Sequence, residues 1–363
     1  MRIAQIAPLA ESVPPKLYGG TERVVHWLTE ELIALGHEVT LFASADSVTR
    51  AELVPAIPKA LRLARPKQDP SAACAALLAD VAEQASQFDL IHSHIEWIHL
   101  PLLQRLEVPF LTTLHVRLDV AGLGQVLSRF QNAPFVSISN DQRRPLPNVR
   151  WLATVYHGLP KDSLKPSYER GRYLAFLGRL APEKGPDVAI RVAQRANMPL
   201  RIAAKLPRGH SRYFKEQLQP LIEASRTELV GEVDDTRKEG FLQNATALLF
   251  PIDWPEPFGL VMIEAMACGT PVIAFRRGSV PEIIENGLTG FVVDNEEEAI
   301  AAVGRVHELD RRSIRAAFDK RFTARRMAQN YVRHYRELTR HTPRIDKVAA
   351  HPITSATLAT GDS

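Results

Sequence analysis

Two glutamates in the second half of the chain have the spacing to bind one extended ligand. Glu256 lies in a proline-flanked loop, and Gly259 then opens a helix that contains Glu264. At 1.5 Å of rise per residue, Glu264 is ~7.5 Å along the axis of that helix. Ionised carboxylates only accept hydrogen bonds, so the pair suits the hydroxyl groups of a sugar or a ribose. The exposed N–H groups at the helix start suit an anion such as phosphate.

The hydrophobic pattern predicts the elements that position these residues. In the first half it predicts a helix from near Thr21 and strands at residues 3–7, 38–43, 88–92, 109–115, 134–139 and 153–157. In the second half it predicts strands at 173–177, 200–204, 228–230, 247–251 and 271–275, and helices at 187–195, 214–224, 236–244 and 259–268. Strands that alternate with helices form parallel, doubly wound sheets, so the two halves predict two Rossmann-like domains.

A polar, proline-flanked stretch at residues 160–166 separates the two halves. We therefore assign residues 1–165 to an N-terminal domain and 166–341 to a C-terminal domain, whose last helix can cross back to the first domain. Residues 342–363 are rich in Thr, Ala, Ser and Pro without an apolar period, which predicts a disordered tail. Ligands in such sheets lie beyond the carboxyl ends of the strands, so the site is expected in a cleft between the domains.

The spacing of Glu256 and Glu264 resembles the E-x7-E signature of retaining glycosyltransferases, in the sequence context of glycosyltransferase family 4. Further segments match that family in the same order, at residues 176–185, 231–235 and 278–293, with Gly19, Gly20 and His115 in the first half. The resemblance covers residues 1–340. It implies an α/β protein of GT-B architecture, in which two Rossmann-like domains face each other across a cleft.

The resemblance implies catalytic roles for four side chains. Arg179 and Lys184 would hold the diphosphate of a nucleotide-sugar donor and stabilise the leaving nucleoside diphosphate. Glu256 would bind the hydroxyl groups of the donor sugar, and His115 would face that sugar. From the residues alone, His115 could also be a buried, hydrogen-bonded histidine at the end of a strand.

Other positions are implied to bind the donor. Glu264 would hold the ribose hydroxyls, and Val233 would meet the base. Gly20, beside Gly19, would let the backbone approach the phosphates because it has no side chain. The backbone amides expected to face the sugar and phosphate are those of Phe258, Gly259 and Leu260.

The implied reaction is transfer of a hexosyl group to a hydroxyl acceptor with retention of configuration, from a donor that is expected to be a UDP-sugar. The family is described through a front-face, ion-pair-like route, in which the departing diphosphate oxygen takes the acceptor's proton. The sequence has no Asp-x-Asp pair to hold a divalent ion. We therefore expect no metal and no other cofactor, and we interpret His92 and His94, with His99 nearby, as structural.

Two segments depart from the family pattern. Tyr156-His157-Gly158 stands where the family often has Asn-Gly before an acidic residue, and Lys205 lies where a glycine-rich turn is usual. These changes leave the reaction class intact. Lys205 could add a contact to the phosphates or the sugar.

Composition and charge exclude several classes of protein. The net charge of +4 is spread along the chain, without a basic block that would indicate nucleic-acid binding. Cys74 and Cys268 are the only cysteines and lie far apart, as expected in a reducing cytoplasm. No segment resembles a signal peptide or a membrane span. We expect a cytoplasmic protein, and residues 59–65, a basic-apolar stretch that also suits a solvated helix face, leave peripheral contact with the inner membrane face open.

Three alternative functions stay open. Nicotinamide-dependent dehydrogenases also have two Rossmann-like halves, but no Gly-x-Gly-x-x-Gly follows a strand here. A GT-B phosphorylase would use phosphate instead of a nucleotide, and a non-catalytic module would bind the nucleotide sugar without turnover. The sequence identifies neither the acceptor nor the oligomeric state, although Arg117, Arg143 and Arg144 would suit an anionic acceptor.

Overall fold

The computed structural model describes residues 1–16, 19–204 and 211–340 of the 363-residue chain. Lys205 and the predicted tail at residues 342–363 lie outside the described residues. Within those described ranges, no helix is both long enough and apolar enough to cross a membrane.

The N-terminal domain is built on a seven-stranded parallel sheet with the strand order β3-β2-β1-β4-β5-β6-β7. Its strands are β1 Arg2–Ile6, β2 Glu38–Ser44, β3 Glu52–Ile57, β4 Leu90–Ser93, β5 Phe110–Thr113, β6 Phe135–Ser137 and β7 Trp151–Thr154. Its helices are α1 Gly20–Ala34, α2 Pro70–Gln84, α3 Leu100–Leu103 and α4 Leu123–Leu127. Helices on both faces bury a parallel sheet, and β4 is accordingly buried at every position.

The second domain has a six-stranded parallel sheet with the order β10-β9-β8-β11-β12-β13. Its strands are β8 Tyr173–Leu177, β9 Leu200–Ala203, β10 Thr227–Gly231, β11 Ala245–Phe250, β12 Val272–Phe275 and β13 Gly290–Val293. The helices that follow the domain boundary are α5 Pro186–Arg195, α6 Ser211–Tyr213, α7 Gln219–Glu223, α8 Asp235–Gln243, α9 Leu260–Ala267, α10 Val280–Ile283, α11 Glu296–Arg305, α12 Arg311–Arg321 and α13 Ala324–Arg340. Both sheets reverse strand order beside their first strand, which confirms two Rossmann-like domains.

β3 and α2 are among the elements that the sequence interpretation missed, and it misplaced the strand β7. β3 is an edge strand with irregular exposure, and it tolerates Pro55 because an edge strand has one unpaired side. α2 is alanine-rich and buries only Ala73, Leu77 and Val81, so its apolar period is weak. The strand predicted at 153–157 is β7, two residues earlier, because the chain leaves the sheet after β7 to reach the other domain.

The basic-apolar stretch at residues 59–65 is a turn and not a helix. The Leu61 N–H donates to the Leu9 carbonyl at 2.9 Å, and the Arg62 N–H donates to the Ala10 carbonyl at 3.1 Å. Ala60 and Ala64 are buried, with exposed fractions of 0% and 3%. The stretch therefore packs on the loop after β1.

The chain passes between the domains at two places that lie against each other. The Leu159 N–H donates to the Phe322 carbonyl at 2.9 Å, and the Ala324 N–H donates to the Leu159 carbonyl at 2.7 Å. A Cβ atom on Gly158 would lie 2.3 Å from the Thr323 carbonyl oxygen. Only glycine fits where the two crossing segments touch.

The returning segment continues into α13, which packs on the N-terminal sheet. Tyr331 and Tyr335 of α13 are almost wholly buried there. The Tyr331 hydroxyl lies 2.9 Å from Thr113 Oγ1, and the Tyr335 hydroxyl lies 2.7 Å from His92 Nδ1. The last helix is thus packed with the first domain, as the sequence interpretation allowed.

Arg315 on α12 holds the domain linker against the second domain. Its guanidinium donates to the carbonyls of Leu164 at 2.9 Å, Ala267 at 2.7 Å and Lys161 at 2.7 Å. Because Ala267 ends α9, the same side chain supplies donors to a helix C-terminus that has unsatisfied carbonyls. The linker and α9 are therefore fixed by one buried cation.

We predict that Gly158→Ala lowers the free energy of unfolding by more than about 2 kcal/mol, because the new Cβ overlaps a backbone carbonyl that cannot move freely. Urea unfolding followed by tryptophan fluorescence measures this. Gly304→Ala is the matched control, since a Cβ there meets nothing within 4 Å and lies in a helix that alanine favours. Equal stability of Gly158→Ala and the wild type would contradict the crossing geometry.

Candidate active site

A cavity of about 490 Å³ lies between the domains. Its lining comes from loops that follow β5 and β6 in the first domain and β11 and β12 in the second. The charged and aromatic residues that line it are Arg117, Asp119, Asp141, Arg144, Asp253, Trp254, Arg276 and Arg277. The carboxyl ends of the two sheets therefore face each other, which is where a ligand of this fold binds.

Three of the longer helices begin beside this cleft with a glycine N-cap and no side-chain cap. The N-caps are Gly19 for α1, Gly185 for α5 and Gly259 for α9. Side chains cap other long helices, namely Asp69 for α2, Asp234 for α8, Asn295 for α11 and Asp310 for α12. The uncapped N–H groups and helix dipoles of α1, α5 and α9 suit a polyanion such as a diphosphate.

Lys184 and Glu256 form a mostly buried ion pair at the cleft. Lys184 Nζ lies 2.6 Å from Glu256 Oε2, and the side chains are 14% and 12% exposed. Trp254 Nε1 donates to the same oxygen at 2.8 Å, and the Lys184 ammonium lies 4.4 Å from the centre of the Trp254 ring. The structure thus joins a cation suited to phosphate and a carboxylate suited to hydroxyl groups. Sequence reasoning missed Trp254 as a site residue, although it adjoins the proline-flanked loop.

Arg179 lies on the same turn as Lys184. Arg179 Nη2 lies 3.1 Å from Glu183 Oε1, and about a third of the arginine side chain is exposed. Gly185 follows with φ of +67°, and a Cβ there would lie 2.2 Å from the Pro251 carbonyl oxygen. Glycine therefore lets the turn that carries both cations lie against the end of β11.

Glu264 is paired with a lysine that the sequence interpretation did not name. Lys238 Nζ on α8 lies 2.7 Å from Glu264 Oε1, and the side chains are 12% and 9% exposed. A carboxylate can accept several hydrogen bonds, so the contact leaves capacity on Glu264 for ribose hydroxyls. The polar sequence around Lys238 carries no local signal of this pairing.

The loop that carries Glu256 is fixed from the segment after β12. The Ser279 N–H donates to the Glu256 carbonyl at 2.9 Å, and Ser279 Oγ donates to the Phe258 carbonyl at 2.9 Å. Gly278 has φ of +53°, and a Cβ there would lie 2.3 Å from the Glu256 carbonyl oxygen. The matched segment at 278–293 therefore begins with the residues that hold Glu256 in place.

The predicted glycines of the first domain lie opposite α9. A Cβ on Gly20 would lie 3.8 Å from Leu260 Cδ1, which is ordinary contact, so the starts of α1 and α9 face each other. Gly19 is the more crowded position, because a Cβ there would lie 2.9 Å from Glu22 Oε2 and from Pro15. The backbone of the first domain thus reaches the donor side of the cleft.

Phe258 and Val233 belong to the apolar wall behind the site. The Phe258 side chain is 2% exposed and packs in the core of the second domain. Val233, after β10, packs partly buried against the same core, as Leu260 does. Only the backbone of Phe258 is therefore left to face a ligand.

His115 lies two residues beyond β5, within a group of buried histidines. Its Nε2 lies 2.9 Å from His94 Nδ1, and its ring stacks on His157 with centres 5.3 Å apart. The His157 ring meets the Phe258 ring edge-on at 4.8 Å, so the group reaches the donor loop. Burial lowers the pKa of His115 to about 3 and the pKa of His94 and His157 well below the ordinary value.

Glu96, which the sequence interpretation missed, adjoins His115. Its Oε1 accepts from the His115 N–H at 3.3 Å, and its Oε2 is buried without a partner among the described residues. Burial raises the pKa of Glu96 to about 8, so the carboxyl group is mostly protonated at neutral pH. Its φ of +59° is unusual for a residue with a side chain, and such strain often marks a functional site.

His92 and His99, the two other histidines near this group, have structural partners. His92 lies 2.7 Å from Tyr335 and 2.8 Å from Thr113, and His99 bonds to Ser93 and Thr112 in the same way. In the part of the chain that is described, no three His, Cys, Asp or Glu side chains are grouped to hold a metal ion.

Of the three arginines suggested for an anionic acceptor, two line the cavity and one does not. Arg117 and Arg144 line the cavity, where they pair with Asp119 and Asp141. Arg143 turns away, because its Nε donates to Ser137 Oγ at 2.7 Å and its guanidinium lies over the Trp151 ring.

Two Rossmann-like domains that face each other across a cleft define the GT-B architecture of glycosyltransferases. The family profile for Glycosyltransferase Family 4 matches residues 18–157, and the profile for Glycosyl transferases group 1 matches residues 162–321. The chain belongs to the glycosyltransferases of family 4 type.

Relatives in two mycobacteria are named D-inositol 3-phosphate glycosyltransferase. The Mycolicibacterium smegmatis protein is 26% identical over 340 residues, which cover 77% of this chain and 76% of that protein. The Mycobacterium leprae protein is 25% identical over 262 residues, covering 61% of this chain and 60% of that protein. The match to the latter therefore spans about 60% of its length.

A solved structure has the same fold at low sequence identity. Anabaena Alr3699/HepE, in complex with UDP-glucose, superposes with a TM-score of 0.70 at 19% identity, covering 93% of this chain and 100% of that chain. This likeness establishes the two-domain fold.

Burial of the histidines predicts a protein that loses stability in mild acid. His92, His94, His99, His115 and His157 all have a lowered pKa in the folded state. As the pH falls below about 6.5 the unfolded chain takes up protons that the folded chain refuses, so each histidine removes roughly 1 kcal/mol between pH 7 and 5.5. The raised pKa of Glu96 acts in the opposite direction over this interval and offsets part of the loss.

Urea unfolding at pH 7 and pH 5.5 should therefore give a lower free energy of unfolding at pH 5.5. His99→Gln, remote from the ion pairs, should reduce the difference between the two pH values by roughly 1 kcal/mol, because one buried neutral histidine is removed. Equal stability of the wild type at both pH values would refute this account.

Proposed function

We propose that the protein is a retaining hexosyltransferase that moves a hexosyl group from a UDP-sugar to a hydroxyl acceptor. The observation that carries this proposal is the Lys184–Glu256 pair. It sets a phosphate-binding cation 2.6 Å from a hydroxyl-binding carboxylate, between the glycine-capped starts of α5 and α9. A sugar diphosphate needs both groups side by side.

The donor fits the second domain in a defined order. Glu264, held by Lys238, accepts from the ribose hydroxyls, and Val233 meets the base. Arg179 and Lys184 hold the diphosphate with the helix starts. Lys184 has three N–H donors, so its contact with Glu256 leaves two for phosphate oxygens. The UDP-glucose bound to the structurally similar HepE supports uridine as the base.

Transfer then proceeds on one face of the sugar. The bond from the anomeric carbon to the diphosphate oxygen breaks, and a bond from the acceptor oxygen to that carbon forms. The acceptor's proton passes to the departing diphosphate oxygen, whose negative charge Arg179 and Lys184 stabilise. Glu256 holds the sugar hydroxyls during this step, and no side chain is assigned as a nucleophile.

We infer that the acceptor enters through the cavity between the domains. Four arginines line it, namely Arg117, Arg144, Arg276 and Arg277. The relatives are named for an acceptor that carries a phosphate, which supports an anionic acceptor here. Arg117 also lies 5.1 Å from the centre of the Trp254 ring, so the cavity adjoins the Lys184–Glu256 pair.

We further propose that the reaction needs no divalent metal ion and that the protein works in the cytoplasm. Arg179 and Lys184 supply the positive charge that an Asp-x-Asp-bound ion would otherwise supply. Cys74 and Cys268 are free and lie in different domains, which suits a reducing compartment.

Calorimetric titration in EDTA with UDP, GDP, ADP and their glucose conjugates tests the donor. We predict that UDP and UDP-glucose bind, and that Glu264→Ala weakens UDP binding at least about tenfold by removing the ribose acceptor. Glu285→Ala, on an exposed glutamate, should bind like the wild type. Binding that appears only after Mg²⁺ or Mn²⁺ is added would overturn metal independence. A lack of nucleotide binding, with phosphate-dependent glycoside cleavage, would identify a phosphorylase.

Turnover tests the ion pair. We predict that Lys184→Ala and Glu256→Ala each lower nucleoside diphosphate release from the bound donor by about 100-fold or more, because each removes charge stabilisation or sugar positioning. Lys161→Ala, an exposed lysine in the linker, is the control. Near-normal turnover in either site variant, with melting temperatures like the wild type, would make that assignment wrong. Donor binding without turnover in the wild type would identify a non-catalytic module.

A further inference from the structure

A line of buried polar side chains runs beneath the cleft to His115. It begins at Gln5 on β1, passes through His94 just after β4, and ends at His115 just after β5. Gln5 and His94 are 0% and 1% exposed. Gln5 Oε1 lies 2.7 Å from His94 Nε2, and His94 Nδ1 lies 2.9 Å from His115 Nε2. Water therefore cannot replace these contacts without rearrangement of the sheet edge.

The direction of each hydrogen bond follows from the glutamine. Gln5 Nε2 donates to the Tyr335 hydroxyl at 3.4 Å, which turns Gln5 Oε1 towards His94. A carbonyl oxygen only accepts, so His94 Nε2 carries the proton. Burial lowers the pKa of His94 well below its ordinary value, so His94 Nδ1 has a lone pair and accepts from His115 Nε2. His115 Nδ1 is then left with a lone pair.

Hydrogen bonds that ran in the opposite direction, from Gln5 through His94 to His115, would cost free energy. They would place an N–H on His115 Nδ1, which is buried and has no hydrogen-bond partner among the described residues. A buried donor that is left unpaired is unfavourable because it has lost its hydrogen bonds to water. The glutamine would also have to turn its amino group towards His94 and give up its contact as a donor to Tyr335.

We propose that Gln5 and His94 are positioning residues that hold His115 as a neutral imidazole with its proton on Nε2. The catalytic part of this inference rests on the proposed function, because it concerns the histidine expected beside the donor sugar. In this state His115 gives its only N–H to His94. It serves transfer as a fixed, neutral wall, and it does not deliver a proton.

The first residue of this hydrogen-bonded series, Gln5, is held by a helix that follows the second domain in the chain. The Tyr335 hydroxyl belongs to α13, and it also lies 2.7 Å from His92 Nδ1. Gln5 is thus held between β1 and the helix that returns from the second domain. The orientation of His115 consequently depends on the docking of α13, although Tyr335 itself does not touch His115.

Nitrogen-15 spectra of the histidine-labelled, full-length wild type test the tautomer directly, without any substrate. We expect His94 and His115 to show a protonated Nε2 and an unprotonated Nδ1 at neutral pH. A protonated Nδ1 on His115, or an imidazolium on either residue, would overturn the proposal. This result does not depend on whether the protein binds nucleotides.

Variants test the catalytic consequence, with UDP-glucose as the probe and UDP release as the readout. His94→Leu should lower the rate roughly 10- to 100-fold, as when an outer partner that orients a functional histidine is lost. It should also mix the His115 tautomers. His94→Gln should restore most of the rate, because its amide oxygen can accept from His115 Nε2. His99→Leu, which removes a buried histidine whose ring nitrogens bond to Ser93 and Thr112, should leave the His115 tautomer unchanged.

Equal losses in His94→Gln and His94→Leu, or an unchanged His115 tautomer in His94→Leu, would show that His94 is merely structural. If His94→Leu does not fold, Gln5→Leu serves in its place, since it removes the acceptor at the other end of the line. Absence of UDP-glucose binding to the wild type would refute the proposed donor while the tautomer spectrum still decides the positioning of His115.

Discussion

Two backbone hydrogen bonds, between Leu159 and the residues on either side of Thr323, fix where the domains meet. Both crossings of the chain pass through this contact, so it sets how the two sheet edges face each other. Gly158 is required there because any side chain would overlap the Thr323 carbonyl. The preceding residue, His157, stacks on His115 and meets Phe258. The contact that joins the domains is therefore continuous with both halves of the site.

The helices that begin at the proposed donor site have weak N-caps, which lowers their local stability but leaves their N–H groups free to bind an anion. Glycine is a weaker N-cap than aspartate or asparagine, yet α1, α5 and α9 begin with it. Their free N–H groups remain available to phosphate oxygens because no side chain occupies them. Packing offsets the loss, since Met262, Ile263 and Ala265 of α9 are wholly buried. The weak starts of α1, α5 and α9 therefore lie where a ligand can complete them.

Around His115, the first domain contributes a neutral, hydrogen-bonded surface. Its histidines lie in a low-dielectric environment that disfavours the imidazolium form, and each nitrogen that meets a neighbour does so with a defined donor and acceptor. Glu96 is kept mostly neutral by the same burial. The ion pairs Lys184–Glu256 and Lys238–Glu264 lie on the second domain. The charged residues that the first domain brings to the cleft line the cavity instead, at Arg117, Asp119, Asp141 and Arg144. A donor with a charged diphosphate and an uncharged sugar suits a site in which these ion pairs lie beside the neutral surface around His115.

The sequence by itself determined the two doubly wound sheets and the loop and helix that carry Glu256, Gly259 and Glu264. These depend on local period, turn residues and spacing, which any short stretch of chain carries. The hydrophobic pattern did not predict β3 and α2, because an edge strand and an alanine-rich helix bury few large side chains. Only the tertiary structure decided the pairing of Lys238 with Glu264, the hydrogen bond of Trp254 to Glu256, the strained Glu96 and the line from Gln5 to His115. Those contacts join residues far apart in the chain, and their distances are set by how helices and sheets pack, which no local pattern encodes.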